Sequence, residues 1–87
     1  MKSTTKVTPE QIVTTGKHIK ISTVKLMIEH PGGMWFETCV FGGSSSAGEV
    51  YQRYKTLKEA AKGHIDCVIA HGLETDDHIF HKIFMRI

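Results

Sequence analysis

The chain has too little cysteine for a disulfide framework. It holds two, Cys39 and Cys67, in a strand-like and a helix-like stretch, and both read as reduced core thiols. Charge of one sign is nowhere concentrated: net charge is +2, and the eleven Lys and Arg residues are scattered from Lys2 to Arg86. That argues against a nucleic-acid groove, which needs clustered cations, and equally against an acidic mimic of DNA. Long apolar runs are missing as well. MKSTTKVTPEQIV lacks the apolar core of a signal peptide, and no window is long enough to span a bilayer, so the expected setting is soluble and cytosolic. No internal repeat, catalytic signature or cofactor motif stands out.

What is present is a short alternation of strand-like and helix-like pieces. Eighty-seven residues make one domain, and a chain of that size buries only about 60–65% of its unfolded surface, so association into a homo-oligomer is expected. Residues 1–17 read as an N-terminal arm with a short helix. Thr8-Pro9-Glu10-Gln11 offers a capping hydroxyl and a proline at the first helical position, Gly16 is the stop, and the β-branched Val13, Thr14 and Thr15 weaken it. The preceding residues 1–7 fit either a frayed tail or an added edge strand.

Residues 18–72 form the expected core: two strands, a loop, a third strand and a helix. IKISTVKLMIE has Ile19 and Ile21 in one alternation phase and Val24, Leu26 and Ile28 in the other, which predicts a bulge or change of partner near Ser22 and Thr23. His30-Pro31-Gly32-Gly33 turns the chain. Met34–Phe41 is apolar on both faces and reads as a central strand covered on both sides. Residues 42–49 read as a mobile connection longer than a tight hairpin, and Val50–Lys55 as the third strand. Thr56-Leu57-Lys58-Glu59 is a capping box. The helix that follows places Leu57, Ala60, Ala61, His64, Cys67, Val68 and His71 on one side and Lys58, Glu59, Lys62 and Asp66 on the other, with Ile65 and Ile69 widening the apolar arc. Gly72 suits the residue after the helix end. Residues 78–87, HIFHKIFMRI, fit either a strand or a helix. The fold class is therefore α+β: an antiparallel sheet of three or four strands with one main helix packed on it.

Three kinds of site compete with plain packing. Cys67, His71, His78 and His81 could supply four ligands to zinc, but the spacing is not a standard finger pattern, so no metal or other cofactor is assigned. A Cys67–His64 nucleophile pair would lie on the apolar helix face, where burial raises a thiol's pKa, and no enzymatic role is expected. The GGSSSAG loop precedes a strand, unlike a phosphate loop, which opens a helix. Gly63-His64 interrupts a good helix at a cost of about 1 kcal/mol relative to alanine, which implies close approach of the helix to Trp35, to a neighbouring subunit or to a ligand.

FETCVFGG followed by YQRYKTLKEAAKGH resembles a group of short bacteriophage and prophage proteins in which a FETMVFGG-like phrase precedes a glycine- or acid-rich loop and an RYxTxxEAxxGH-like phrase. The matching residues are Phe36, Glu37, Thr38, Val40, Phe41, Gly42 and Gly43, then Arg53, Tyr54, Thr56, Glu59, Ala60, Gly63 and His64, with Ser22-Thr23-Val24 upstream. The resemblance covers about half the chain. It implies a phage origin, a host-cytoplasmic setting and a small non-enzymatic accessory protein. Such a protein would act in counter-defence by binding a host signalling nucleotide or a host defence protein. The expected ligand-binding residues are Trp35, Glu37, Thr38, Arg53, Tyr54 and His64: Arg53 would meet phosphate, the 42–49 loop would close over it, and Trp35 or Tyr54 would stack the base. The alternatives are an assembly role as a homo-oligomer and a zinc-stabilised regulatory module. A membrane partner is not expected, nor is nucleic acid.

Overall fold

The computed structural model describes residues 3–8, 10–42 and 45–73. Among these residues five strands follow one another, β1 (Thr4–Thr8), β2 (Gln11–Gly16), β3 (Ile19–His30), β4 (Met34–Gly42) and β5 (Ser45–Tyr54), and one helix, α1 (Leu57–Ala70), comes after them. The strands lie side by side in chain order, every neighbouring pair antiparallel. The fold is thus α+β with a helix on an antiparallel sheet, and among the described residues the strand number is five where three or four were expected.

The extra strands come from the N-terminal arm. Gln11–Gly16 is a strand and not a short helix, because Val13, Thr14 and Thr15 are held by β1 on one side and β3 on the other, through Lys6↔Val13 and Val13↔Ser22 for example. An isolated two-turn helix has no comparable support. Gly16 does not stop a helix but pairs with Ile19 across a two-residue turn. Lys17 and His18 in that turn both take positive φ, 49° and 63°, as the hairpin turns that match strand twist require.

The irregularity expected near Ser22 and Thr23 lies further on, between Lys25 and His30; the register is continuous from Ile19 to Lys25. Thr23 keeps the core phase of Ile19 and Ile21, which its polar side chain hid. The connection expected over 42–49 is also shorter, since β4 runs to Gly42 and pairs there with Ser45. The strand expected at 50–55 therefore begins at Ser45 and ends at Tyr54.

The helix covers one face of the sheet; among the described residues no element packs on the other, here termed the open face, so within them β4 is covered on one side only. Ala60, Ala61, Gly63, His64, Ile65, Cys67 and Val68 are its buried residues. The two alanines, both at 0% exposure, let its backbone approach the strands closely. Ile12, Ala61 and Ile65 form one apolar cluster with Val7 against it, and Ile21, Cys67, Val68 and Leu73 form another, flanked by Ile19 and Val40. A buried side chain of the Ile or Val kind contributes roughly 2 kcal/mol by leaving water. Ile65 is thus core, whereas Ile69 is 56% exposed.

Both helix ends are satisfied as their residues dictate. Thr56 has extended backbone and its hydroxyl accepts from the Glu59 amide at 3.1 Å; the same hydroxyl donates to the Glu59 carboxylate at 3.0 Å. At the other end Gly72 takes φ +71°, its amide donates to the Ile69 carbonyl, and the Leu73 amide reaches back to Val68. This double bond with a Val68–Leu73 apolar contact is a Schellman motif. Residues 78–87 lie outside the described residues. Among the described residues no helix is long and apolar enough to cross a membrane.

Candidate functional site

The six residues expected to bind ligand are divided by the sheet. Thr38, Tyr54 and His64 lie on the helix-covered face, at 0%, 4% and 0% exposure. Glu37 and Arg53 lie on the open face. Trp35 stands beyond them at the sheet end, 38% exposed.

On the covered face His64 is the centre of a polar seam between the two apolar clusters. Its Nε2 meets the Thr14 hydroxyl at 2.8 Å and its Nδ1 meets Thr23 at 2.7 Å. Thr14 continues to Thr5 at 2.8 Å and Thr23 to Thr38 at 2.5 Å. The neutral ring has one donor and one acceptor nitrogen, so one threonine accepts from it while the other donates to it. Burial holds its pKa down to about 4, which keeps the ring neutral. Such a histidine ties five elements together and does not face solvent.

Gly63 explains why the helix tolerates glycine there. A Cβ at that position would lie 2.1 Å from the Tyr54 ring, so the aromatic packed on the helix backbone is Tyr54, not Trp35. Burial raises the Tyr54 pKa, and nearby Thr38 offsets it only in part; within the described residues the hydroxyl has no hydrogen-bond partner. A base-stacking role for Tyr54 does not fit this placement.

On the open face Glu37 and Arg53 are direct cross-strand partners. Arg53 Nε donates to Glu37 Oε2 at 2.8 Å, with side chains 38% and 15% exposed. The Cys39 thiol donates to the other carboxylate oxygen at 3.1 Å. Burial alone would raise the Glu37 pKa, but the bonds from Cys39 and Arg53 and the charges of Arg53 and His30 outweigh it and hold the group below its usual value. Burial first, then the Glu37 bond and charge, push Cys39 up to about 11. Arg53 is therefore already engaged by a carboxylate, and the thiol beside it is poorly nucleophilic.

Two positions beyond Glu37 and Arg53, past the last pair Phe36↔Tyr54, come Trp35 and Lys55. These two, with Lys25 and Phe36, line a shallow cleft of about 290 Å³. Sequence reasoning found Trp35 but missed the lysines; the cross-strand spacing that places Glu37 opposite Arg53 would have found Lys55. Nothing local pointed to Lys25. It reaches the cleft because it pairs with Phe36.

Of the four residues weighed as zinc ligands, Cys67 and His71 come together, Sγ to Nδ1 3.6 Å. His71 Nδ1 also donates to the Cys67 carbonyl at 2.8 Å, its ring meets Tyr51 edge-on at 6.0 Å, and burial raises the Cys67 pKa to about 11. His78 and His81 lie outside the described residues, among which no group of three or more His, Cys, Asp or Glu side chains could hold a metal. Comparison of the chain with protein-family models, with curated proteins and with solved structures finds no match.

Proposed function

We propose that this chain is a small non-enzymatic phage accessory protein that counters host defence by binding, either holding a host signalling nucleotide or blocking a host defence protein. The observation that carries the reading is the division of its side chains. The groups suited to chemistry, His64, Cys67 and Tyr54, are buried and used for packing or hydrogen bonds, whereas several aromatic and apolar groups are exposed, three of them at the β3–β4 end. Met27 is 98% exposed, Ile28 78% and Trp35 38%. Val50, Tyr51, Leu57 and Ile69 are exposed on β5 and α1 as well, and apolar and aromatic side chains left in water on a chain this small suit recognition.

Native mass spectrometry tests the reading, before and after incubation with a nucleotide-rich extract of defence-activated cells and with host lysate. A discrete added mass, lost when Trp35 is replaced by serine, supports it. Unchanged mass in both mixtures counts against it.

The sheet face that no described element covers favours a second reading, assembly into a homo-oligomer. Val13, Val24, Cys39 and Phe41 are only partly covered there, and Val50 is 48% exposed. A charge at Val13 would then split the assembly; an unaltered mass would remove that reading.

A further inference from the structure

Resting on the binding reading, we propose that the cleft formed by Lys25, Trp35, Phe36 and Lys55 is the ligand site, and that its ligand class is a nucleoside phosphate. The nucleobase lies on the Trp35 indole and the phosphate is held between Lys25 and Lys55. Three observations converge on this. The cleft, about 290 Å³, lies at the small end of ligand pockets, enough for a base and part of its sugar with the phosphate at the rim. Its lining includes two aromatic residues, of which Trp35 is 38% exposed, and an indole is the side chain best suited to stacking on a planar ring. Its cations are uncommitted: among the described residues neither Lys25 nor Lys55 has a carboxylate partner, and Glu37 is occupied by Arg53 and Cys39.

Electrostatics adds to this. Lys55 immediately precedes Thr56, the N-cap of α1, so the positive end of the helix dipole begins next to that lysine. Arg53 sits two residues before Lys55 with its side chain 38% exposed, and its bond to Glu37 uses Nε. A phosphate at the rim would thus meet two free ammonium groups first and a third cation behind them. This revises the role expected of Arg53: Lys25 and Lys55 make the phosphate contacts, and Arg53, held by Glu37, contributes its charge from a distance.

The chain contains one tryptophan, so selectively excited tryptophan emission reports on this cleft alone. The full chain would be titrated with ATP, GTP, adenosine, tripolyphosphate and a short oligothymidylate at low ionic strength. Saturable quenching by ATP or GTP is expected, with adenosine and tripolyphosphate each at least about tenfold weaker, because each lacks one half of the recognised group. Lys25→Gln and Lys55→Gln should each weaken ATP about tenfold while leaving the thermal melt unchanged, both side chains being exposed. Lys6→Gln, on β1, should change nothing. The proposal is overturned if ATP and GTP do not quench, if adenosine quenches as well as ATP, if the lysine variants bind normally, or if the oligothymidylate binds more tightly than any mononucleotide, which would indicate a strand-binding surface. Should ATP and GTP fail while native mass spectrometry still shows captured mass from extract or lysate, the cleft assignment falls and the binding reading stands.

Discussion

On the helix-covered face of the sheet, Thr5, Thr14, His64, Thr23 and Thr38 join in one hydrogen-bonded chain from five different elements. On the open face, Glu37, Arg53 and Cys39 make a shorter chain of two bonds, both within a β4–β5 pair and partly in water. The two are built alike, from polar side chains one pleat apart, but the helix changes what they are worth. Removing a partner beneath it strands groups away from water, where each costs about 1–3 kcal/mol. Removing one on the open face lets water take its place. The covered chain is therefore structural and the open one adjustable, although residue type alone would have suggested the reverse for His64.

The largest expected effect is at His64. Replacing it with alanine opens a cavity between the two apolar clusters and takes away one bond each from Thr14 and Thr23, so unfolding free energy should fall by about 3 kcal/mol, measured by urea denaturation. A loss below about 1 kcal/mol would break the contrast between the faces. The same residue sets an acid limb. Its pKa is about 4 in the folded protein against about 6.5 unfolded, so below pH 6.5 the unfolded chain binds more protons than the native one and stability falls as pH falls. The loss should run from about pH 6.5 to about pH 4 and reach roughly 3 kcal/mol. His64→Gln, which does not titrate, should flatten that limb. Glu37, whose pKa is lowered, adds a smaller loss in the same direction at lower pH.

Gly63 sharpens the comparison by setting propensity against packing. In an exposed helix, glycine to alanine would stabilise by about 1 kcal/mol. Here the added methyl would meet the Tyr54 ring at 2.1 Å and its hydroxyl at 2.2 Å, and relief requires moving a buried side chain. Gly63→Ala should destabilise by about 2 kcal/mol. A gain would mean the ring is not held where the structure has it.

These residues also mark how far the sequence could be read. The capping box at Thr56 and Glu59, the stop at Gly72 and the sided helix were legible because each depends on neighbours within one or two turns. The Gly63 anomaly was visible too, as a close approach, but its partner was not, since Tyr54 enters from a strand whose register no local pattern specifies. Two errors share a cause. Thr8-Pro9-Glu10-Gln11 carries helix-start chemistry, and Thr23 looks like a surface residue. What overrides both is pairing: β2 is fixed by strands on either side, and Thr23 lies under His64, 41 positions away. The candidate cleft was half legible for the same reason. Trp35 stands out by type, while the two lysines matter only once β3, β4 and β5 are laid side by side.

Tyr54 offers a test with the opposite sign. Its hydroxyl is buried without a partner within the described residues, unlike every hydroxyl of the threonine chain. Tyr54→Phe should therefore be neutral or stabilising by up to about 1 kcal/mol, beside the large loss at His64. A loss comparable to that of His64→Ala would place Tyr54 inside the hydrogen-bonded chain.

The smallest effect is on the open face, where it is read by reactivity more clearly than by stability. Glu37→Gln should cost less than about 1 kcal/mol, since the ion pair it breaks is partly solvated. The Cys39 thiol, however, is held at about 11 partly by the Glu37 bond and charge. An amide keeps an acceptor there but removes the charge that opposes the thiolate. Alkylation of Cys39 by iodoacetamide at mildly alkaline pH should consequently be several-fold faster in Glu37→Gln than in the parent chain. Arg53→Gln, which takes away the one charge favouring the thiolate, should be slower than the parent, and Cys67 should stay silent in all three because it is fully buried. Equal rates would mean that burial alone sets the Cys39 pKa and that the open-face chain is not electrostatically coupled; the ordering Glu37→Gln, parent, Arg53→Gln is the signature of a face whose charges still act on one another through partial solvent.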